Sequence, residues 1–219
     1  MKALVIIPAY NSGENLPELL PRIRSHIDDI VVIDDGSSDN TAAIANKLGA
    51  VVIIHKHNRG KGAALKTGFV YALKNAYDTV ITIDSDCQHN PDDIPRFIQA
   101  RKETEADMII GSRRNDIGKM PWPRQFSNWS TSRFLSLLLK NDIEDSQCGY
   151  RLISRKLLES IKLEYDRFEL ESEIIIKAIR AGFKIGFILI DARYDKSGVS
   201  HMRPFADTIR WCRAVLKSL

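Results

Sequence analysis

Two carboxylates one residue apart, in Asp84-Ser85-Asp86-Cys87-Gln88-His89, stand where the apolar run Val80-Ile81-Thr82-Ile83 stops. A buried strand of a parallel sheet opens at its carboxyl end onto the edge where α/β proteins bind ligands. Two hard oxygen donors at that edge suit Mg²⁺ or Mn²⁺ holding a diphosphate, so metal-assisted group transfer is the chemistry this spacing points to. By itself the spacing is permissive, because Asp-Ser-Asp also occurs in turns where Asp caps a helix or bonds its own backbone.

Two other clusters raise its weight. Asp34-Asp35-Gly36-Ser37 follows the aliphatic run at 30–33 and reads as a strand end, a glycine turn and a helix start with Ser38 or Asp39 as cap. Asp34 and Asp35 then lie where a ribose hydroxyl or a base N–H needs an acceptor. His57-Asn58-Arg59-Gly60-Lys61-Gly62 precedes a long helical pattern. Gly60 and Gly62 would let backbone approach a ligand, and Lys61 offers charge to a phosphate. ATPase and NAD readings lose support, since Leu65 stands where a Walker A loop requires glycine before Lys66-Thr67 and also breaks the dinucleotide fingerprint at its last position. His55 and His57 read as an ordinary strand-end pair rather than a metal pair.

These clusters need elements to carry them. Val- and Ile-rich runs at 4–7, 30–33, 51–54, 80–83 and 108–110 are expected to be strands buried on both faces of a mostly parallel sheet. Between them the clearest helix is 61–77, where Leu65, Phe69, Ala72, Leu73 and Ala76 recur at helical spacing. After Gly111 comes a polar segment with Pro and Trp at 113–123, then a helix to about residue 140 and a loop at 141–149. A strand at 150–154, a helical pattern around 171–181, a strand at 185–190, a loop at 191–204 and a closing helix at 205–219 complete the chain. The expected fold class is α/β, a mostly parallel central sheet flanked by helices in one domain.

Composition excludes several classes. With 219 residues and 44% hydrophobic content the chain can bury a sizeable core. No run approaches the roughly 20 apolar residues of a bilayer span, and the N-terminus begins as a strand without a signal-peptide layout, so a cytoplasmic protein is expected. Cys87, Cys148 and Cys212 are far apart and odd in number, which fits reduced thiols. A net charge of +4 is too mild for a nucleic-acid binder, and no such partner is expected. The charge is uneven, however: Arg113, Arg114, Lys119, Arg124 and Arg133 face only Asp116 in their stretch.

In order along the chain, Val5-Ile6-Ile7-Pro8-Ala9-Tyr10-Asn11, Asp34-Asp35-Gly36-Ser37, Asn58-Arg59-Gly60-Lys61-Gly62, Asp84-Ser85-Asp86 and Gly111-Ser112-Arg113 resemble the inverting family 2 glycosyltransferases. Gln88-His89, Ser146-Gln147-Cys148-Gly149-Tyr150-Arg151 and Phe168-Glu169-Leu170-Glu171-Ser172-Glu173 are similar to the dolichol-phosphate mannosyltransferase and polyprenyl-phosphate glycosyltransferase branch. Five or more such motifs in fixed order are specific where each alone is not. The resemblance implies a GT-A fold, with residues 1–112 binding the nucleotide sugar and 113–219 the acceptor. It implies that Pro8, Tyr10 and Asp35 line the nucleoside pocket, with Lys61 and Ser85 also on the donor side. Asp84, Asp86 and Gln88 would surround Mg²⁺ or Mn²⁺. Arg113, Arg124 and Asn128 would grip the acceptor phosphate, while Arg193 or Lys196 lies in a loop closing over the donor. Ser12 departs from the glutamate common in that branch, and Gln147-Cys148 departs from the usual residues before the acceptor glycine.

The implied reaction moves mannose or glucose from a GDP- or UDP-sugar to a polyprenyl or dolichyl phosphate. The alternative acceptor is a saccharide or other hydroxyl in cell-envelope polysaccharide synthesis. A lipid phosphate arrives ionised and needs no strong base, whereas a hydroxyl would need one, with Asp145 or Glu144 as candidates. Glu171 and Glu173 read as acids favoured at a helix start and stand as secondary candidates. Any membrane contact is expected to be peripheral, at the cytoplasmic face, through Met120-Pro121-Trp122-Pro123 and the surrounding cations.

Overall fold

The computed structural model describes residues 2–114 and 122–193 with Trp211, Val215 and Lys217, the side chains of Pro123 and Arg124 excepted. Seven strands form one sheet: β1 (Ala3–Ala9), β2 (Ile30–Asp34), β3 (Val51–Ile54), β4 (Thr79–Thr82), β5 (Met108–Ser112), β6 (Arg151–Ser154) and β7 (Ile185–Leu189). Their order is β3-β2-β1-β4-β6-β5-β7. All neighbours are parallel except β6, which runs antiparallel to both β4 and β5.

The aliphatic runs form these strands because both faces of the sheet are covered. Leu4 to Ile7 and Val31 to Ile33 are at most 1% exposed. The run at 51–54 departs from the expectation of burial on both faces: β3 is the edge strand, and Val51 and Ile54 are 45% and 63% exposed. Sequence alone does not distinguish an edge from a centre when both are Val- and Ile-rich.

Helices α1 (Leu16–Arg24), α2 (Thr41–Lys47), α3 (Lys61–Lys74), α4 (Ile94–Thr104), α5 (Trp122–Leu139), α6 (Arg155–Ser160) and α7 (Glu169–Arg180) flank the sheet. In α1, Leu16, Leu19, Leu20 and Ile23 repeat at i, i+3, i+4 and i+7 and are fully buried. Each such side chain contributes about 1.5–3 kcal/mol of burial. The expected closing helix at 205–219 lies largely outside the described residues, although Trp211, Val215 and Lys217 are helical.

Topology decides where the site sits. From β1 the chain builds outward through β2 and β3, then returns to place β4 on the other side of β1. Ligands of open α/β sheets bind where the order reverses, beyond the carboxyl ends of such a pair. Tyr10 and Asp84 emerge there. Strand β6 comes from the second half of the chain and lies between β4 and β5, so residues on either side of 112 share one core.

Candidate active site

Asp84 leaves the sheet just beyond β4 and meets Lys61, whose Nζ is 2.7 Å from Asp84 Oδ1 and 2.7 Å from Glu171 Oε1. Lys61 is the first residue of α3 and Glu171 lies in the first turn of α7. Burial works to lower the Lys61 ammonium, but Asp84 and Glu171 outweigh it and hold its pKa above the ordinary lysine value. Burial likewise works to raise the Asp84 carboxyl, and Lys61 holds it below the ordinary aspartate value. Gly149 makes room for the pair, since a Cβ there would come within 2.7 Å of both Asp84 Oδ2 and Lys61 Nζ.

Past Asp84 the loop is tightly organised. Ser85 Oγ lies 2.8 Å from Ser12 Oγ, and Ser12 N donates to Thr41 Oγ1 at 2.8 Å. The serine that replaces the branch's glutamate therefore braces the acidic loop. Asp86 is exposed and accepts from Gln88 N at 3.0 Å across Cys87, whose φ is 57°. Gln88 O accepts from Arg193 N at 2.8 Å, and His89 bridges Ala192, so the chain after β7 is stitched to the acidic loop. The Arg193 side chain reaches toward Glu18 at 3.8 Å. Lys196 lies outside the described residues. Burial pushes the His89 imidazole down to about 4, leaving it neutral at pH 7. Cys87 and Cys148 are free thiols, and Cys212 lies outside the described residues.

On the other side of β1, Tyr10 is 41% exposed at the strand end and Pro8 is buried within it. Asp35 is buried, with Oδ1 2.6 Å from His55 Nδ1 and its oxygens accepting from Arg59 N and Gly60 N. Its carboxylate shapes the loop at 55–60, and His55 completes the link through Thr67 Oγ1 at 2.9 Å. The helix start after this turn is tied by Asp39, which accepts from Thr41 N at 3.0 Å and from Gly13 N at 3.0 Å.

The glycines of the 57–62 cluster admit another stretch of backbone. A Cβ on Gly60 or Gly62 would come within 2.6 Å of the backbone of Asp166 or Arg167, and Ala63 N donates to Asp166 O at 2.9 Å. They let the loop before α7 close onto the N-terminus of α3. Gly62→Ala is accordingly expected to destabilise the protein by about 1–3 kcal/mol, because rigid backbone must give way. Urea unfolding measures this, and unchanged stability would contradict the packing.

On the acceptor side expected from sequence, Arg113 and Asp145 form a fork, with Nε to Oδ2 at 2.7 Å and Nη2 to Oδ1 at 2.9 Å. Asp145, the carboxylate expected as a base for a hydroxyl acceptor, is 1% exposed and holds Arg113 in place. Glu144, the other candidate base, is 3.9 Å from Arg114. Asn128 lies in α5 and its Oδ1 accepts from Ser132 Oγ at 3.4 Å. Arg124 is in the first turn of α5, with its side chain outside the described residues.

A sequence model of the family described as Glycosyl transferase family 2 matches residues 4–162. The chain is a family 2 glycosyltransferase. It is 36% identical to an undecaprenyl-phosphate mannosyltransferase of Micrococcus luteus, over 75% of this chain and 71% of that protein. It is 32% identical to a polyprenol monophosphomannose synthase of Mycolicibacterium smegmatis, over 92% of this chain and 81% of that one. Among solved structures, glucosyl-3-phosphoglycerate synthase of Mycobacterium tuberculosis in complex with Mn²⁺ and UDP-glucose superposes with a TM-score of 0.74. That match covers 99% of this chain and 77% of the other at 20% identity, and it establishes the GT-A fold.

The donor set of this glycosyltransferase fits a hard divalent cation. Asp84 and Asp86 bring carboxylates and Gln88 an amide to one loop, a set of oxygen donors that suits Mg²⁺ or Mn²⁺. Among the described residues no three His, Cys, Asp or Glu side chains cluster to cage an ion by themselves.

Two residues beside Asp84 and Lys61 hold contacts that the sequence did not specify. Glu171 reads as a helix-start acid, yet it is the second partner of Lys61, 110 positions away. Arg151 is 2% exposed and donates to three backbone carbonyls, Cys148 O at 2.7 Å, Glu171 O at 2.7 Å and Ser146 O at 2.9 Å. It joins the 146–149 loop to α7. An arginine inside a buried strand pattern is the available signal, because such a charge must find partners. Glu173 turns out to be structural, accepting from Glu164 N, Tyr165 N and Lys177 Nζ.

Proposed function

We propose that this glycosyltransferase transfers mannose or glucose, with inversion, from a GDP- or UDP-sugar to a polyprenyl or dolichyl phosphate. One observation carries the choice of acceptor. Of the carboxylates near the expected acceptor side, Asp145 is committed to Arg113 and Glu171 to Lys61, and Glu144 lies 3.9 Å from Arg114. Asp145 is buried and both its oxygens already accept from the Arg113 guanidinium, so its geometry does not offer it as a base to an acceptor hydroxyl. An acceptor that arrives ionised needs none. The names of the two mannosyl-transferring relatives support the same choice.

In this reading Pro8 and Tyr10 flank the nucleoside, and Asp35 acts on it through the loop it shapes. Asp84, Asp86 and Gln88 would hold Mg²⁺ or Mn²⁺, which as a Lewis acid stabilises charge on the departing diphosphate. Lys61 adds positive charge at the same place. Arg113, with its plane fixed by Asp145, binds the acceptor phosphate together with Arg124 and Asn128. The attacking phosphate oxygen approaches the anomeric carbon opposite the leaving group. Arg193 or Lys196, the latter outside the described residues, would act over the donor.

The acceptor's lipid finds a surface on α5. Trp122, Phe126, Trp129 and Leu137 fall on one helical stripe and are 55–72% exposed. Arg133 is exposed on the same stripe. Among the described residues no helix is long and apolar enough to cross a membrane. Aromatic rings beside cations suit a bilayer interface with anionic headgroups.

The deciding assay offers a GDP- or UDP-sugar together with a short polyprenyl phosphate, the corresponding polyprenol, or a saccharide. Transfer to the phosphate alone is expected, and transfer to the saccharide but not the phosphate would refute the reading. Phe126→Ser with Trp129→Ser is expected to weaken co-sedimentation with anionic phospholipid vesicles about ten-fold or more, leaving donor hydrolysis unchanged. Vesicle binding equal to the parent would remove the interfacial role.

A further inference from the structure

The proposed metal loop already contains a cation of its own. Lys61 Nζ sits between the carboxylates of Asp84 and Glu171, at 2.7 Å from each, with side-chain exposures of 18%, 24% and 9%. Glu171 is the better anchored partner. Its backbone carbonyl accepts from Arg151, it lies in the first turn of α7, and that helix start follows a loop closed onto Gly60 and Gly62. Asp84 is in the loop beyond a strand end and is one of the two carboxylates assigned to the divalent cation.

We infer that Lys61 is a resident cation that competes with the divalent ion for Asp84, and that Glu171 is a positioning residue that retains Lys61 at the diphosphate once the ion has taken Asp84. This rests on the metal-dependent reading above and extends it to residues with no assigned part in it.

The physical case has two sides. Without the divalent ion, a largely buried Asp84 lacking a partner would carry a steep desolvation cost, and Lys61 offsets it. With the ion bound, an ammonium and a divalent cation on one carboxylate would repel, which would loosen the hold of Asp84 on Lys61. Glu171 then decides where Lys61 goes. A carboxylate held at the helix start keeps the ammonium beside the departing phosphates, where positive charge is needed as the bond to the sugar breaks. Without Glu171, Lys61 would remain on Asp84 with nothing drawing it away.

The experiment is Mn²⁺ titration of the donor-free protein, read from the electron paramagnetic resonance of free Mn²⁺, for the parent, Lys61→Met, Glu171→Gln and the double variant. Lys61→Met is expected to tighten Mn²⁺ binding about five-fold or more, and Glu171→Gln to weaken it by a similar factor. A bare change in local field would give the same two signs, so the double variant decides. If Glu171 acts through Lys61, Glu171→Gln no longer weakens Mn²⁺ binding in the Lys61→Met background. Undiminished weakening there, or a parental affinity in Lys61→Met, overturns the inference. Asp84→Asn separates this from failure of the metal reading. If that variant binds Mn²⁺ as tightly as the parent, the metal site itself is refuted, whereas its loss of Mn²⁺ alongside an unresponsive Lys61→Met refutes only the competition. Should Lys61→Met not fold, Lys61→Gln takes its place in the single and the double variant, and the same two outcomes decide.

Discussion

Replacing Asp86 with alanine should lower sugar transfer by about 10²–10³-fold while the protein stays folded. The two halves of this expectation have separate causes. Asp86 is exposed in a loop and accepts from Gln88 N at 3.0 Å in a local turn contact, whose loss should cost about 1 kcal/mol. For a chain of this size that lowers the melting temperature by about 2–4 °C. Activity suffers far more, because the proposed cation would lose one of its two carboxylates just where charge builds on the leaving diphosphate. A transfer assay across a Mn²⁺ series, with a thermal melt of the same sample, measures both. Parental turnover in the variant would remove Asp86 from the metal site.

The second large effect is on stability. Arg151→Met should cost about 3–5 kcal/mol and lower the melting temperature by about 6–20 °C. Methionine nearly matches the aliphatic stem but leaves the carbonyls of Ser146, Cys148 and Glu171 without the donors that satisfy them. The loss strikes the 146–149 loop and α7 together, the two pieces that bring Gly149 and Glu171 to Asp84 and Lys61. Arg151→Lys should recover little, since one ammonium cannot span three carbonyls as a planar guanidinium does. Calorimetry on both variants tests this, and a melt within a few degrees of the parent would mean that the three bonds carry little net stability.

Much of the scaffold was legible from residue order. The aliphatic runs became β1, β2, β4 and β5 because four or five consecutive buried positions need Val and Ile on both sides of the strand. The pattern at 61–77 became α3 with its first residue at the Lys61 that the sequence singled out. Edge placement of β3 was not legible, because sheet order depends on crossovers that no local pattern records. The glycines at 60 and 62 were legible as close-approach positions, but what approaches them is the backbone at 166–167, a hundred residues away.

The chemistry divides in the same way. Residue types and spacing determined by themselves that this chain carries an acidic pair at a strand end, a basic second half and the ordered motifs of its family, since each is written in short stretches whose local geometry follows from the residues within them. Pairing was decided only by the tertiary structure. Asp145 became the partner of Arg113, Glu171 the partner of Lys61, and Arg151 the knot between loop and helix. Coulomb attraction and desolvation act through space, so a charged side chain's role is set by the groups that folding places within about 3–4 Å of it, and those lie far away along the chain.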